Sequence, residues 1–455
     1  MYVADSRGTP APTVTRAEPT APDQSPAPAG DTPRPGRRAL APTVLALGTV
    51  SLLTDVSSEM VTAVLPLYLV AGLGLSPLGF GLLDGVQNGF SALVRLLGGH
   101  LGDRRGGHKT VAGLGYGLSA LCKPLLLLAH TVPAIGLVLA LDRTGKGLRT
   151  APRDAMISLA VPAADRGRAF GAHRAMDTTG ALLGPLLAFL VLAVAPGGWD
   201  AVFTLSACTA VLGVLVLVLF VPARPAPIAG PAAAAAPAAG VGRSRAAFGL
   251  LRLPALRRIT VAAALLGLCT VSDAFVFLLL QRTAGLPAQW FALLPLGTAA
   301  AFLALAVPLG RVADRLGRLP VFLAGHLALL AAYALLLWGP TGPVLALLVL
   351  PLHGAFYAAT DGVLAAAAAD VIPEDRRGAG LALVQTGQAL ARFLCSLAFG
   401  AAWTAFGPRP ALAVAGLALA CAATAWPLLR PRPGAAAPVP VSVEDARTPE
   451  RPPAR

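Results

Sequence analysis

The chain has 455 residues, of which 56% are hydrophobic and only 13% are charged, and its formal net charge is +14 at pH 7. Soluble proteins carry about 25% charged residues, so this much apolar chain excludes an ordinary water-soluble domain and implies a lipid environment. The basic residues lie in short loops and tails without interleaved aromatic residues, which argues against a nucleic-acid partner.

The chemistry-bearing motifs of enzymes are missing from the sequence. All five cysteines lie inside apolar runs without paired spacing, so we expect neither disulfides nor a metal site. There is no H-E-x-x-H pair, and no Walker or other glycine-rich phosphate loop. An intramembrane enzyme and an ATP-driven pump are therefore disfavoured, and no cofactor is expected.

Residues 1–38 are rich in Pro, Ala, Thr and Asp and show no apolar period. Such a composition cannot bury enough surface to offset chain entropy, which predicts a disordered tail. No short apolar core with a small-residue cleavage site occurs there, which argues against a secretory signal. Arg34, Arg37 and Arg38 precede the first apolar run, as is typical of a cytoplasmic start.

From residue 40 onward, long apolar runs alternate with short polar breaks, and each run is long enough to cross a membrane as a helix. Only helices are considered, because lipid offers no partner to unpaired backbone groups. The twelve predicted helices lie near 42–70, 77–99, 109–129, 133–159, 169–194, 200–222, 258–281, 288–310, 319–339, 343–371, 379–403 and 410–429.

These helices divide into a bundle at 39–222 and a bundle at 258–430, joined by a flexible linker at 223–257. A second disordered tail is predicted at 431–455. The loops assigned to the cytoplasm are richer in Arg and Lys than the loops assigned outside, which predicts that both termini are cytoplasmic.

One short charged motif occurs twice, 211 residues apart, as G-x-x-x-D-R-x-G. Its residues are Gly99, Asp103, Arg104 and Gly106 in the first copy and Gly310, Asp314, Arg315 and Gly317 in the second. The motif resembles the loop between helices 2 and 3, and again between helices 8 and 9, of the major facilitator superfamily. This resemblance implies an all-α membrane protein of two pseudo-symmetric six-helix bundles. It also implies that both Asp residues, each following a helix end, act as conformational latches.

Ionisable residues concentrate in four of the predicted helices. A charge at the bilayer centre costs at least about 2.5–3.5 kcal/mol, so each one requires a reason. In the superfamily, helices 1, 4, 7 and 10 line the central cavity. The resemblance therefore implies a cavity at Asp55, Glu59, Asp142, Arg143, Lys146, Arg149, Asp273, His353, Tyr357 and Asp361. The alternative is that some of these charges only pair between packed helices.

Predicted helix 4 contains Leu139-x-x-x-Arg143-x-x-Lys146-Gly147, which resembles the helix 4 motif of the superfamily with Lys in place of Gln. The guanidinium of Arg143 stays protonated, since arginine does not deprotonate in proteins. It can hold a carboxylate or an anionic substrate group but cannot carry a proton. We therefore expect Arg143 to be the essential fixed charge of the cavity.

Predicted helix 5 contains Asp177 and then Gly180-x-x-x-Gly184-Pro185, which resembles the antiporter motif of bacterial drug/proton exporters of the superfamily. Glycines at this spacing permit close approach of a neighbouring helix, and the proline bends the helix. The resemblance implies proton-coupled efflux of a small organic compound. A proton-linked importer of a small metabolite is the alternative.

Asp55 and Glu59 lie four residues apart on one helix face, with Cβ atoms about 5–6 Å from each other. Two carboxylates so close in a poorly solvated cavity cannot both ionise at low cost, which predicts that the pair carries the proton, with Glu59 the principal carrier. Asp177 and Asp273 are the next candidates. A polar helix contact around Ser57 and Ser58 is the alternative. The expected protein is a monomer in a bacterial-type plasma membrane, with protons and a small molecule as its ligands.

Overall fold

The computed structural model describes residues 40–87, 108–162, 165–222, 249–372 and 377–429, which are predominantly helical. In the N-terminal half the helices are α1 (Pro42–Leu67), α2 (77–87 among the described residues), α3 (His108–Leu128), α4 (Val132–Leu159), α5 (Arg166–Val194) and α6 (Trp199–Phe220). In the C-terminal half they are α7 (Pro254–Leu268), α8 (Asp273–Ala284), α9 (Ala288–Phe291), α10 (Leu294–Leu316), α11 (Arg318–Trp338), α12 (Pro343–Thr360), α13 (Val363–Ala369), α14 (Arg377–Phe406) and α15 (Pro408–Leu429).

Within these ranges, nine helical stretches are long and apolar enough to cross a membrane. Helix α4 is also long enough, but it carries Asp142, Arg143, Lys146 and Arg149 in its middle turns. No strand occurs in the described part of the chain. The prediction of an all-α membrane protein is confirmed.

Three of the predicted helices are interrupted, which the sequence analysis did not expect. Predicted helix 7 is divided into α7 and α8 around Val271, whose N–H donates to the Tyr333 hydroxyl at 2.8 Å instead of to a helical carbonyl. Predicted helix 10 is divided into α12 and α13 at Gly362, which has φ +62°. Predicted helix 8 begins with the short α9. The apolar runs resume directly after each break, so the hydropathy pattern alone predicts one continuous helix in each case.

The second charged motif does not form the expected turn. Gly310, Asp314 and Arg315 all lie inside α10, which ends at Leu316, and the chain turns only at Gly317. Gly317 has φ +95°, a conformation that glycine adopts without strain, and α11 begins directly after it. The expectation that Asp314 follows a helix end was therefore wrong. Its counterpart Asp103, with the rest of the first motif, lies outside the described residues.

The C-terminal half begins earlier than predicted. A 3₁₀ turn covers Leu250–Arg252 and α7 starts at Pro254, so the last residues of the predicted linker 223–257 are already helical. A proline at the first helical position suits such a start, because its missing N–H would have had no partner there. The predicted tails 1–38 and 431–455, and most of the linker, lie outside the described residues.

Small residues bring α1 and α5 together in the N-terminal half. A Cβ atom on Gly180 would lie 2.5 Å from the Leu52 carbonyl oxygen, and one on Gly184 would lie 2.8 Å from the Val56 carbonyl oxygen. Only glycine permits backbones to approach this closely. Helix α5 is thereby held against the face of α1 that carries Asp55 and Glu59.

The two halves meet at the end of the bundle where α1 ends and α2 begins. Four aromatic rings cross between them there, and we name Phe80, Phe275, Phe399 and Trp403 the aromatic seal. The centroid of Phe275 lies 4.8 Å from that of Phe80 and 4.9 Å from that of Phe399. The Leu78 N–H donates to Thr404 Oγ1 at 3.0 Å beside the seal. Close aromatic packing joins the two halves at this end.

Candidate functional site

A central cavity of about 290 Å³ lies between the two halves, next to the aromatic seal. Helices α1, α2, α8, α12 and α14 contribute most of its wall. Its ionisable lining residues are Glu59, Asp84, Asp273, Tyr357 and Arg392. Its apolar lining includes Phe80, Phe277 and Phe291. Such a mixture of apolar walls with a few convergent polar groups is typical of small-molecule sites.

The C-terminal wall of the cavity is built around Asp273, the first residue of α8. Its carboxylate accepts a hydrogen bond from the Tyr357 hydroxyl at 2.5 Å and lies 3.4 Å from His353 Nε2. The guanidinium of Arg392 lies 5.9 Å from the centre of the Tyr357 ring. A carboxylate and a cation are therefore presented side by side to the cavity.

The N-terminal side places the two acids of α1 in different surroundings. Glu59 lines the central cavity, whereas Asp55 does not. One carboxylate oxygen of Asp55 lies 3.5 Å from Arg149 Nη2, and its carboxyl group is within hydrogen-bonding reach of that of Asp177. Asp55 thus has Asp177 of α5 as a second carboxyl neighbour, while Glu59, the other acid of the expected pair, lies one helical turn along α1.

Helix α4 contributes less to the cavity than predicted, because none of its four charged residues at positions 142–149 lines the central cavity. Asp142 pairs with Lys123 at 3.0 Å, and both side chains are buried between α3 and α4. Arg149 is buried against Asp55 and stacks 4.7 Å from the centre of the Tyr116 ring. Asp142 and Arg149 therefore pair with charges on neighbouring packed helices, which is the alternative to a position on the cavity.

Lys146 lies close to the acids of α1, and Arg143 lies close to Gln87 of the cavity wall. Lys146 is half-buried within electrostatic range of Glu59 and Asp55, so its charge acts on the acids of α1. Arg143 borders a small space beside Gln87, and its Nε is buried without a hydrogen-bond partner among the described residues. A buried donor without a partner costs about 1–3 kcal/mol, so the Nε–H of Arg143 is a donor available to an occupant of that space.

The helix breaks in the C-terminal half enclose a second cavity of about 330 Å³. Asp361, at the break between α12 and α13, lines this cavity and also a third space of about 230 Å³, where it lies beside Asp273 and Tyr357 of the central cavity. Arg392 and Thr270 line both the second and the central cavity. Asp361 was predicted to lie on the central cavity; it borders the Asp273 and Tyr357 side of that cavity, and at the break in predicted helix 10 it also reaches the second cavity.

The residues predicted to form a conformational gate are scattered. Asp314 and Arg315 are exposed on α10, and neither has an ion pair in the described part of the chain. The ionic contact at that end joins Arg318, the first residue of α11, to Asp370. On α5, Gly180 and Gly184 contact α1, and Pro185 is buried one residue further on.

The sequence analysis missed several residues that the fold brings to the site. Arg392 in α14 and Asp84 in α2 are single charges within apolar runs, and the cost of inserting a charge in lipid could have identified both. Asp84 accepts a hydrogen bond from Ser396 of the opposite half at 2.6 Å. Arg153 lies 3.8 Å from Asp177. No sequence pattern links these partners, which are far apart in the chain.

Comparison with known proteins identifies relatives along most of the chain. The profile of the Major Facilitator Superfamily matches residues 47–350 and 289–454. An uncharacterized MFS-type transporter of Methanocaldococcus jannaschii is 29% identical over 379 residues, covering 80% of this chain and 89% of the relative. An uncharacterized protein of Mycobacterium bovis is 36% identical over 152 residues, covering 33% of this chain and 37% of that relative.

Solved structures share the fold at low sequence identity. The nucleoside transporter NupG has a TM-score of 0.72 at 14% identity, with 85% of this chain and 98% of that chain covered. A POT family transporter in complex with 5-aminolevulinic acid has a TM-score of 0.66 at 13% identity, covering 85% and 96%. A bacterial homologue of the human lysosomal transporter Spinster, inward-facing and unoccupied, has a TM-score of 0.63 at 16% identity, covering 85% and 96%.

Proposed function

The chain belongs to the Major Facilitator Superfamily and is a multi-pass membrane transporter, and on that premise we propose that it exports a small organic compound in exchange for protons. The observation that carries this proposal is the Asp55–Asp177 pair. Two neighbouring carboxyl groups favour sharing a proton, because two neighbouring carboxylates repel.

The surroundings of the pair suit reversible protonation. Arg149 lies 3.5 Å from Asp55, and Arg153 lies 3.8 Å from Asp177. These two guanidinium groups stabilise the carboxylates after the proton has left, and they stay charged throughout because arginine does not deprotonate in proteins. The pair can therefore cycle between a proton-bound and a proton-free form.

Substrate and proton interact through α1. Glu59 faces the central cavity one turn from Asp55, and Lys146 lies within electrostatic range of both acids. When the Asp55–Asp177 pair loses its proton, Lys146 is drawn toward it and stabilises Glu59 less. The substrate in the cavity then meets a different charge on the α1 wall in the protonated and in the deprotonated state. Such a difference in interaction between two states is what coupling of substrate to proton requires.

Export is the direction that α5 supports. The Gly180-x-x-x-Gly184-Pro185 segment, which resembles the antiporter motif, lies directly against the acids of α1. A Cβ atom on Gly180 would lie 3.2 Å from that of Asp55, and one on Gly184 would lie 2.8 Å from that of Glu59. A bend or shift of α5 would therefore move both acids, so the motif and the proton site form one mechanical unit.

The aromatic seal closes the end of the bundle that the distribution of basic residues assigns to the outside. We infer an inward-facing state, which the likeness to the inward-facing Spinster homologue supports. The halves then rock about the central cavity to open the seal. The proposal places a monomer in a bacterial-type plasma membrane with both termini in the cytoplasm.

The test begins with a screen in an export-deficient bacterial strain, in which the chain should protect cells from one or more compounds of a panel. The purified protein is then reconstituted in proteoliposomes with such a compound and an imposed pH gradient. The gradient should drive the compound against its concentration in the direction opposite to proton flow.

Asp55→Asn and Asp177→Asn should abolish the response to the gradient while exchange of the compound without a gradient persists. Asp200→Asn is the matched control, since Asp200 is an exposed acid at the start of α6. Movement of the compound together with protons would show import. A full gradient response in both variants would overturn the proposed proton site.

A further inference from the structure

The second cavity of the C-terminal half has a polar wall with charges of both signs. Seven of its sixteen lining residues carry polar or charged side chains, and two of the seven, Asp361 and Arg392, have opposite charge. We propose that this cavity binds a small zwitterion of the amino-acid class, with the ammonium group on Asp361 and the carboxylate on Arg392. The inference goes beyond the proposed export function, because it concerns a second ligand site beside the central cavity.

Asp361 is the anionic group of this wall, and its side chain is exposed. It forms no ion pair or side-chain hydrogen bond with the described residues, whereas the carboxylate of Asp273 accepts a hydrogen bond from Tyr357. Arg392 lies within electrostatic range of Asp361, but no ion pair joins them. The two opposite charges are therefore separated by a gap that a molecule carrying both charges can bridge.

Hydrogen-bond acceptors lie beside Asp361. Thr360 Oγ1 donates its hydrogen to the carbonyl oxygen four residues earlier at 2.7 Å, so it offers lone pairs to the cavity. His326 Nδ1 lies 2.9 Å from the carbonyl oxygen four residues earlier, so Nδ1 carries the hydrogen and Nε2 of the neutral ring accepts. The two helices are close, because a Cβ atom on Gly325 would lie 3.0 Å from Thr360 Cγ2. An ammonium group, with three donors and no acceptor, suits this wall.

Helix α14 lines the cavity with hydrogen-bond donors. Gln385, Gln388 and Arg392 lie on one face of this helix, at spacings of three and four residues. The side-chain amides of the two glutamines have no hydrogen-bond partner among the described residues. A guanidinium group can hold a carboxylate through two parallel hydrogen bonds, and the amide N–H groups can add to them. This face of α14 therefore suits the carboxylate end of a zwitterion.

A ligand with a single charge fits the cavity less well. A simple anion would be repelled by Asp361, and a simple cation would be repelled by Arg392. These two residues are the charged members of the lining, and their formal charges cancel. A zwitterion has no net charge either, so it pairs both groups without adding charge to the interior of the membrane protein. The volume of about 330 Å³ suits a small molecule, since such sites usually measure about 300–1,000 Å³.

Arg392 connects the second cavity with the central one, because it lines both. Its guanidinium lies 5.9 Å from the centre of the Tyr357 ring, and the Tyr357 hydroxyl donates to Asp273. A carboxylate bound to Arg392 in the second cavity therefore also changes the charge that the central cavity presents.

Binding is measured at equilibrium on the purified full-length protein in detergent, without a pH gradient, so the result does not depend on proton exchange. The probes are radiolabelled glycine, β-alanine and γ-aminobutyrate, in which each successive probe separates its two charges by one further methylene group. At least one probe should bind saturably. The matching carboxylate without the amino group, and the matching amine without the carboxylate, should each compete at least about tenfold more weakly, as expected when a hydrogen bond to a charged group is lost.

Variants locate the bound zwitterion, and a cooperative thermal transition shows that each variant is folded. Asp361→Asn should weaken the zwitterion by at least about tenfold but should not weaken the carboxylate analogue, because Asp361 contacts the ammonium group. Ala365→Phe fills the second cavity and should abolish binding. Ala274→Phe, which fills the central cavity, and Asp200→Asn, which removes an exposed acid, are the controls and should leave binding unchanged.

Absence of saturable binding of every probe up to about 10 mM, above the usual range of substrate affinities, would overturn the inference. Binding that survives Ala365→Phe but disappears in Ala274→Phe would place the zwitterion in the central cavity and overturn the second site. Equal weakening in Asp361→Asn and Asp200→Asn would overturn it as well, and this comparison decides the matter if Ala365→Phe does not fold. Each of these results leaves proton exchange standing, because that function is judged by the response to a pH gradient.

Discussion

The contact between α1 and α5 gives a quantitative prediction for Gly184→Ala. The added Cβ would lie 2.8 Å from the Val56 carbonyl oxygen and 2.9 Å from the Met60 nitrogen. The first distance is 0.6 Å shorter than the shortest ordinary contact of 3.4 Å. Both neighbours are backbone atoms of a helix, so they cannot rotate away as a side chain would.

Overpacking of this kind typically costs about 1–3 kcal/mol. Alanine also gains up to about 1 kcal/mol of helix propensity over glycine, which partly offsets the loss. Gly171→Ala on the same helix is the matched control, because nothing lies within 4 Å of a Cβ added there. Since both variants gain the same propensity, the difference between them isolates the contact with α1.

The assay is thermal and denaturant unfolding of both variants in detergent, followed by transport in proteoliposomes. Gly184→Ala should be less stable than Gly171→Ala by about 1–3 kcal/mol, and its response to a pH gradient should be weaker, because the displaced part of α1 carries Glu59. Equal stability and equal transport in the two variants would refute the close packing of α1 on α5.

Two further outcomes are expected. Ser396→Ala removes the 2.6 Å hydrogen bond to Asp84 across the halves, which should destabilise the closed seal by about 1–3 kcal/mol. The distance between spin labels at the start of α2 and the end of α14 should lengthen. An unchanged distance distribution would show that this hydrogen bond does not hold the halves together. Arg143→Lys keeps the charge but loses the planar guanidinium group, so transport should fall sharply while the melting temperature stays unchanged. Arg257→Lys, at an exposed position, is the control and should have no effect on transport. Full transport in Arg143→Lys would remove Arg143 from the mechanism.

The sequence predicts the membrane class and the importance of α1 because both follow from the cost of burying charge in lipid. Asp55 and Glu59 could be identified from that cost alone. Their partners could not, since Asp177 and Arg149 are reached only through the packing of α5 and α4 on α1. A helical pattern shows which residues share a face, not which face meets which neighbour.

The helix breaks could not be predicted from the sequence for a different reason. Asp361 was expected on the central cavity because an uninterrupted helix would carry it there with Tyr357. The backbone leaves the helix at Asp361 and Gly362, so Asp361 lines the second cavity as well as the space beside Tyr357. Asp142 was misplaced because its partner Lys123 lies on another helix, and the sequence does not show which helices pack together.

The central claim is that the Asp55–Asp177 pair holds the transported proton. Its most direct measurement is the equilibrium infrared spectrum of the purified protein near neutral pH. A carbonyl band of a protonated carboxyl group should be present, should disappear in Asp55→Asn and in Asp177→Asn, and should persist in Asp200→Asn. A band that survives unchanged in both pair variants would contradict the claim and place the proton elsewhere.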